Sequence, residues 1–321
     1  MSAPTVAVVI PVLNEAGNIA DLLRDLGRQR RRPDAVLVVD AGSTDGTGEI
    51  VAGLHAFDPR PRLLLCPGAA PGAGRNAGVA AAAADVIATV DAGSRVGPGW
   101  LEALAAPVLA DPQAVATGVA VSDARTSFER AAGWFTLRAF KPADAPGPVG
   151  TSFRPAGRNG LCFSTAAWQR AGGYPEALPW AEDKRFLESL REAGCVVHFA
   201  PGADVRWRPR SSPAAIARQY HRYGRGDAMA GIDRQNELIT LGIWTAGALL
   251  AARALRGHRD SAALLAAAAA GYLGIFTAAA ARELEDRRAV AWVPGIRLIV
   301  DVAKVSGFLA QTLRGVAERR A

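Results

Sequence analysis

Cysteine, histidine and lysine are scarce in this chain of 321 residues. Its cysteines, Cys66, Cys162 and Cys195, lie far apart and form no C-x-x-C pair, which predicts free thiols in a reducing compartment. His198 and His221 have no metal-ligand spacing. The N-terminus has no basic segment of the kind that opens a signal peptide, and Pro11 interrupts its short apolar run. We therefore expect the N-terminal region in the cytosol.

Lysine accounts for only three of the 37 basic residues, so the net charge of +7 comes from arginine. The arginines are scattered and no recognised nucleic-acid motif is present, so we expect no nucleic-acid partner. Two explanations remain open for this bias. One is the composition of the whole sequence, which is rich in Arg, Ala, Gly and Pro. The other is a basic face that binds diphosphates or anionic lipid headgroups.

Short β-branched runs alternate with segments of helical spacing in the first 90 residues. This alternation predicts an α/β fold with a doubly wound, mostly parallel, Rossmann-like sheet. The predicted strands are 6–12, 35–39, 63–65, 86–90, 115–121, 161–163 and 196–199. The predicted helices are 16–29 (with Asn18 as its cap), 48–56, 74–84, 98–110, 165–171 and 182–193. Residues 141–157 are rich in Pro and Gly and predict a mobile loop near the site.

Polar residues follow three of the predicted strands directly. Asn14, Asp40 and Asp91 each come at the carboxyl end of a strand. In an open parallel sheet, ligands bind beyond that edge. Three distant positions are therefore expected to converge on one binding site.

The C-terminal part of the chain holds two apolar stretches, 238–255 and 261–281. Each is long enough to span about 30 Å of hydrocarbon as a helix. A third stretch, 290–313, predicts an amphipathic helix that lies on a surface. We expect a domain at 1–235 and a helical, membrane-associated tail at 236–321. The alternative is a buried helical hairpin or a homodimer interface built from these helices.

Five motifs follow one another in a fixed order along the chain. They are Val9-Ile10-Pro11-Val12-Leu13-Asn14-Glu15; Val39-Asp40-Ala41-Gly42-Ser43-Thr44-Asp45-Gly46-Thr47; Gly72-Ala73-Gly74-Arg75-Asn76-Ala77-Gly78; Val90-Asp91-Ala92-Gly93-Ser94; and Trp180-Ala181-Glu182-Asp183-Lys184-Arg185-Phe186. Over roughly residues 5–230, the chain resembles the family 2 glycosyltransferases. These form a large group with the GT-A fold that includes many bacterial cell-envelope enzymes.

The resemblance implies a binding site for a nucleotide-sugar donor. The residues that it assigns to the donor are Pro11, Asn14, Glu15, Asp40, Ser43, Asp45, Arg75 and Asp91. Arg75 matches the arginine of the A-R-N-x-G motif, and its planar guanidinium suits a phosphate.

The fourth motif resembles the metal-binding D-x-D segment but has Gly93 in place of the second Asp. A divalent ion on a diphosphate, Mn²⁺ or Mg²⁺, prefers several hard oxygen ligands. Two alternatives remain open. Either Asp91 alone assists a metal held mainly by the diphosphate, or arginines neutralise the diphosphate instead.

The last motif is similar to the acceptor-side E-D-x-x-F stretch of the family, in which the Asp is the general base. The resemblance makes Asp183 the catalytic residue and places Trp180 and Glu182 near the acceptor or the diphosphate. Glu182 and Asp183 also suit a helix N-terminus, so a capping role is the alternative. Gln219, Arg222 and Tyr223 resemble the Q-x-x-R-W motif of processive members and are assigned to the acceptor or the leaving diphosphate. A basic stripe next to the membrane is the alternative for this motif.

The resemblance predicts an inverting transfer of a sugar from a nucleotide-diphosphate donor to a hydroxyl acceptor. From the apolar tail we expect a lipid-linked or cell-envelope acceptor and a location on the cytoplasmic face of the cell membrane. The main alternative is a non-catalytic membrane scaffold or sensor that binds a sugar nucleotide. A nucleotidyltransferase-like enzyme is disfavoured, because residues 14–17 do not form a basic, Gly-rich loop after the first strand.

Overall fold

A computed structural model describes residues 3–54, 58–138, 147–148 and 160–318. The chain divides into two compact units: Met1–Asp123 with Ala139–Arg208, and Ala124–Arg138 with Pro209–Ala321. The second unit therefore begins before the expected boundary at 235 and takes in a helix from the middle of the chain. Most of the predicted loop at 141–157 lies outside the described residues.

One sheet organises the first unit. Its strands are Val6–Val12 (β1), Ala35–Asp40 (β2), Arg62–Leu65 (β3), Val86–Thr89 (β4), Ser94–Val96 (β5), Ala114–Ser122 (β6), Gly147–Pro148 (β7), Leu161–Ser164 (β8) and Val196–Trp207 (β9). The order is β3-β2-β1-β4-β8-β6-β9-β5, with β7 on β9. Strands β1 to β4 pair in parallel, β8 runs antiparallel between β4 and β6, and β6 pairs in parallel with β9. The predicted α/β fold is confirmed, with a parallel half that carries the predicted ligand edge.

The helices are Ile19–Gly27 (α1), Thr47–Ala52 (α2), Pro71–Ala82 (α3), Trp100–Ala110 (α4), Ser127–Arg138 (α5), Thr165–Arg170 (α6), Glu182–Glu192 (α7), Pro213–Ala230 (α8), Arg234–Leu255 (α9), Arg259–Glu283 (α10) and Arg287–Glu318 (α11). Side chains alternate between the two faces of a strand. Val8 and Ile10 of β1 therefore join a core with α1 and α4, whereas Val9 joins a core with α3 and α7. Because both faces are covered, β1 is apolar throughout.

Several predicted boundaries move in the structure. Helix α1 begins at Ile19 rather than residue 16, because Asn18 and Ile19 donate backbone hydrogen bonds to the Glu15 carbonyl in a turn. Asn18 occupies the N-cap position but its side chain does not cap the helix. Helix α3 begins at Pro71, where proline suits the first helical turn. Strand β9 runs eight residues beyond the prediction, because its partner β6 continues across an irregularity at Thr117 and Val119.

The second unit is helical and includes α5 and α8 to α11. Helices α8 and α11 meet backbone to backbone. A Cβ at Gly224 would lie 1.9 Å from the Lys304 carbonyl oxygen, and one at Gly307 would lie 2.0 Å from the His221 carbonyl oxygen. Only glycine allows this approach. Helix α11 was expected to lie on a surface; instead, one face, with Val293, Ile296 and Val300, packs into a core with α5 and α8.

Helices α9 and α10 are long and apolar enough to cross a membrane, with mean hydropathies of 1.6 and 1.8 over 18 residues. Neither of these 18-residue stretches is buried by other described residues. Large apolar side chains are exposed along both helices, among them Leu249, Leu255, Leu264 and Ile275. The two helices therefore present an apolar surface that the described part of the chain leaves uncovered.

Candidate active site

The ends of β1 and β2 are tied together by side chains from the first two motifs. Asp40 is buried, and its Oδ1 accepts hydrogen bonds from the Gly42 and Ser43 amides at 3.0 and 2.8 Å. Ser43 donates its hydroxyl to the same oxygen at 2.7 Å, and its Oγ accepts the Asn14 amide at 2.9 Å. Asn14 Oδ1 in turn accepts the Thr44 amide at 2.9 Å. The predicted donor residues Asn14, Asp40 and Ser43 are thus brought together as one rigid edge.

Asp45 extends this network to the turn that precedes α1. Its Oδ2 accepts the Ala16 amide at 3.0 Å, and its Oδ1 accepts both the amide and the hydroxyl of Thr47. The Glu15 amide donates to Thr47 Oγ1 at 2.9 Å. The hydrogen bond from the Thr47 hydroxyl, with that from Ala16, lowers the pKa of Asp45. Thr47 is fully buried and was not predicted as a site residue, although its place at the end of the second motif is the signal for it.

Pro11 lies where β1 separates from its neighbour. Residues of β4 pair with β1 only as far as Val9 opposite Thr89, whereas β2 pairs to the end of β1. Proline cannot donate a ladder hydrogen bond, so it fits a position at which one side of the strand is open. Asp91 follows β4 at the same edge.

Arg75 connects Asp91 with Glu182. Its Nη2 lies 2.8 Å from Asp91 Oδ1, and its Nη1 lies 2.6 Å from Glu182 Oε1. The Arg75 side chain is 5% exposed, that of Glu182 9% and that of Asp91 44%. Arg75 was predicted to contact a donor phosphate; its guanidinium instead lies inside the protein between two carboxylates, and only Asp91 of the three faces solvent.

Burial and ion pairing together shift the pKa values of Arg75 and Glu182. Burial disfavours the charged guanidinium, but Glu182 and Asp91 together hold the pKa of Arg75 above its ordinary value. Burial raises the pKa of Glu182 to about 7, against the opposing effect of Arg75. The next residue, Asp183, adds another carboxylate. Among the described residues, Arg75 thus interacts electrostatically with the carboxylates of Glu182, Asp91 and Asp183.

Glu182 and Asp183 open helix α7 and face different surroundings. Glu182 is buried, whereas Asp183 is partly exposed. Asp183 Oδ1 accepts the Lys184 amide at 2.8 Å, which orients its carboxylate at the helix N-terminus. Trp180, two residues before the helix, is also partly exposed. Of the two carboxylates predicted on the acceptor side, Glu182 is thus buried and Asp183 is partly accessible to solvent.

Asn76 holds the segment that leads to α7. Its Nδ2 donates to the Tyr174 carbonyl at 2.8 Å, and its Oδ1 accepts the Tyr174 amide at 2.8 Å and the Trp168 indole N–H at 2.9 Å. The Tyr174 ring stacks on Phe186 with centroids 3.9 Å apart. Sequence reasoning assigned Asn76 no role of its own, although it stands beside Arg75 in the motif.

The carboxylates do not form a prebuilt metal centre. Asp91 is the one carboxylate of the degenerate D-x-D segment, and one of its oxygens is bonded to Arg75. Among the residues that the structure describes, no group of three His, Cys, Asp or Glu side chains could hold a metal ion. With Asp91 as the one carboxylate of the D-x-D segment, the described residues do not fit a protein-built divalent centre, and we derive no catalytic step through a metal.

The Q-x-x-R-Y residues belong to the second unit. Gln219 is buried in α8, where its Nε2 donates to the Tyr223 hydroxyl at 2.6 Å and its Oε1 accepts from Arg210 Nε at 3.3 Å. Arg222 is exposed on the same helix. Gln219 and Tyr223 are thus brought together with Arg210. The Gln219 side chain is buried and hydrogen-bonded to both.

Comparisons with known proteins show the family of this chain. Residues 7–164 match the model of the glycosyl transferase family 2. The succinoglycan biosynthesis protein ExoA of Rhizobium meliloti is 30% identical over 235 residues, which cover 69% of this chain and 68% of that protein. The chain therefore belongs to glycosyl transferase family 2.

Solved structures share the fold. The mannosyltransferase PcManGT from Pyrobaculum calidifontis, determined in complex with GDP-Man and Mn²⁺, aligns with a TM-score of 0.66 at 22% identity. That alignment covers 97% of this chain and 88% of the mannosyltransferase. A structure of S. aureus TarS with UDP-GlcNAc aligns with a TM-score of 0.50 at 18% identity, over 70% of this chain and 66% of that one. The predicted GT-A fold is thereby confirmed.

Proposed function

We propose that this glycosyltransferase moves a sugar from a nucleotide-diphosphate donor to the hydroxyl of a lipid-linked or cell-envelope acceptor, with inversion at the anomeric carbon. The observation that carries the proposal is the partly exposed Asp183 carboxylate, oriented at the start of α7 next to Glu182 of the Glu182–Arg75–Asp91 cluster. A general base must be reachable by the acceptor and held in place, and Asp183 is partly exposed and held by the Lys184 amide.

The chemical step follows from that placement. Asp183 removes the proton of the acceptor hydroxyl while the acceptor oxygen forms a bond to the anomeric carbon. The bond from that carbon to the diphosphate breaks on the opposite face, and its electron pair leaves with the nucleoside diphosphate. The edge built by Asn14, Asp40, Ser43 and Asp45 binds the nucleoside part of the donor, and Asp91 contacts its ribose or diphosphate side.

The charge of the leaving diphosphate is compensated by groups other than Arg75, which already serves two carboxylates. Either a divalent ion arrives with the donor, with Asp91 as its one protein carboxylate, or exposed arginines supply the charge. Arg222, Gln219 and Tyr223 remain the predicted acceptor or diphosphate contacts of the second unit.

The membrane part of the proposal rests on α9 and α10. With 22 and 25 residues, these helices are about 33 and 37 Å long, enough for about 30 Å of hydrocarbon. Their exposed apolar side chains suit lipid, and we place the first unit on the cytoplasmic face. Alkaline extraction of membranes tests this placement: a protein that stays with the lipid supports it, and release without detergent contradicts it.

Calorimetric titration of the detergent-solubilised full chain with UDP and GDP, each with Mn²⁺ or with EDTA, tests the donor site. Micromolar binding of one nucleotide supports the proposal and identifies the donor base. If neither nucleotide binds under any condition, nucleotide-sugar chemistry at this edge is contradicted. Binding without transfer to any extracted lipid or glycan acceptor supports the alternative, a non-catalytic sensor.

A further inference from the structure

The third motif packs against the segment that leads into α7. A Cβ at Gly72 would lie 2.8 Å from the Pro175 carbonyl oxygen, so the first turn of α3 touches that backbone directly. Asn76 bonds both backbone polar groups of Tyr174. Arg75 bonds Glu182 at the first residue of α7. Three residues of one short motif therefore fix the path of the chain into the helix that carries Asp183.

The same motif also packs on the donor half of the sheet. A Cβ at Gly78 would overlap Val9 of β1 and Val39 of β2, at 2.4 and 2.9 Å. Arg75 reaches past the sheet edge to Asp91, which follows β4. Helix α3 is thus in close contact with the strands that build the donor edge on one side and with the acceptor-side segment on the other.

We propose that Arg75 is a positioning residue that links the donor side of the site to the acceptor side. This role rests on the function proposed above. It fixes Asp91 on the donor side and, through Glu182, the first turn of α7 that orients Asp183. Its burial leaves it little surface for a substrate, so it acts through these carboxylates rather than by contact. A planar guanidinium presents its N–H groups in a rigid fork, whereas a lysine ammonium is a compact charge on a flexible stem.

Arg75→Lys is the first variant, because it keeps a positive charge and loses the two-ended geometry. We expect kcat/KM to fall by about 100-fold, the effect of a displacement of about 1 Å in a catalytic site. Donor KM should rise because Asp91 is released, and kcat should fall because α7 shifts. Arg32→Lys is the matched control: Arg32 pairs with Asp58 at 3.2 Å in the same unit, and both side chains are exposed. The control should keep both parameters within about twofold, as a surface ion pair contributes little.

Asp91→Asn and Glu182→Gln each remove one of the two ion pairs of Arg75. They therefore provide a test even if Arg75→Lys does not fold. Glu182→Gln should lower kcat and leave donor KM unchanged. Asp91→Asn should mainly raise donor KM. In double-mutant cycles, Asp91→Asn and Glu182→Gln are each combined with Arg75→Lys. The loss of activity in each double variant should be smaller than the product of the two single losses, because the paired residues act as one unit.

The pH dependence of kcat/KM distinguishes a positioning role of Arg75 from a purely structural one. Arg75→Met leaves Glu182 without its counter-charge, so the acidic limb of kcat/KM should move to higher pH. Arg75→Met with Glu182→Gln removes both charges and should move the limb back. A purely structural arginine would change the thermal midpoint and the folded fraction only.

Wild-type kcat, donor KM and pH profile in a folded Arg75→Lys protein would overturn the inference. So would fully multiplicative losses in both cycles. If the wild-type chain itself transfers no sugar, the proposed function fails first, and the positioning role fails with it. The two failures are therefore distinguished by the wild-type reaction.

Discussion

The side chain of Asn76 binds Tyr174 as a neighbouring strand would, with one bond to its carbonyl and one from its amide, both 2.8 Å long. Tyr174 is itself buried and stacked on Phe186 of α7. These two hydrogen bonds pair the backbone of Tyr174 in the way that an adjacent strand would. They fix a segment that lies outside the described strands. This pairing explains why asparagine follows Arg75 in the motif.

Replacing Asn76 with Ala should destabilise the protein, because the amide and carbonyl of Tyr174 lose their partners. Each buried polar group left unpaired costs about 1–3 kcal/mol. We expect a lower thermal midpoint in detergent and a lower kcat. Asn236→Ala, at an exposed site in α9, is the control and should leave both nearly unchanged. A normal midpoint for Asn76→Ala would mean that the Tyr174 segment is held by other contacts.

Gly224→Ala should strongly destabilise the second unit, because the new methyl group would overlap the Lys304 carbonyl. Overpacking of this kind costs about 1–3 kcal/mol or more. Gly271→Ala is the matched control: no atom lies within 4 Å of its Cβ position in α10, and alanine favours helix. Thermal unfolding of the solubilised chain measures both. Equal midpoints for the two variants would contradict the close contact of α8 and α11.

Stability should depend on pH through Glu182. Its pKa is about 7 in the folded protein, above the ordinary value of 4.5, so its protonated form is favoured by folding. The stabilisation from this group is therefore complete below about pH 4.5 and is lost as the pH rises through 7. Relative to Glu182→Gln, the wild type should lose stability between pH 5 and 8, on the order of a few kcal/mol. A difference that stays constant or grows in the opposite direction would show that Arg75 outweighs burial.

Gly93→Asp should make nucleotide binding more dependent on a divalent metal. A Cβ at this position meets only Asn18 and Glu15, at 3.9 and 4.0 Å, so the residue fits without displacing backbone. Two carboxylates hold a metal on a diphosphate better than Asp91 alone. Gly93→Asn has the same size without the charge and should behave as wild type. Calorimetry with Mn²⁺ and with EDTA decides; equal metal dependence in all three proteins would show that position 93 is not near the metal.

Sequence patterns predicted the parallel half of the sheet because its strands are buried on both faces and read as continuous apolar runs. They also placed Asp40 and Asp91 at one edge, since strand ends follow from strand positions. They could not give the partner of Arg75. Glu182 lies 107 positions away, and only the folded packing of α3 against α7 shows that the arginine is already paired. The same limit applies to Asn76 and Tyr174, which are 98 positions apart.

The tail shows where local patterns mislead. Apolar content predicted α9 and α10 within a few residues, because a long uncharged run has few other interpretations. For α11 the amphipathic pattern was correct, but a pattern does not say what covers the apolar face. Here the face packs into a core with α5 and α8, partly through Gly307, whose lack of a side chain gives no periodic signal.

Asp183→Asn tests the central claim most directly, because it removes the proposed base and keeps the size of the side chain. With the protein folded and nucleotide binding retained, the rate of sugar transfer in a single turnover should fall by at least about 100-fold, in the range that general base catalysis contributes. Asp58→Asn, the same substitution at an exposed surface carboxylate, is the control and should transfer sugar at a rate close to that of the wild type. Transfer by folded Asp183→Asn at the wild-type rate would contradict the account.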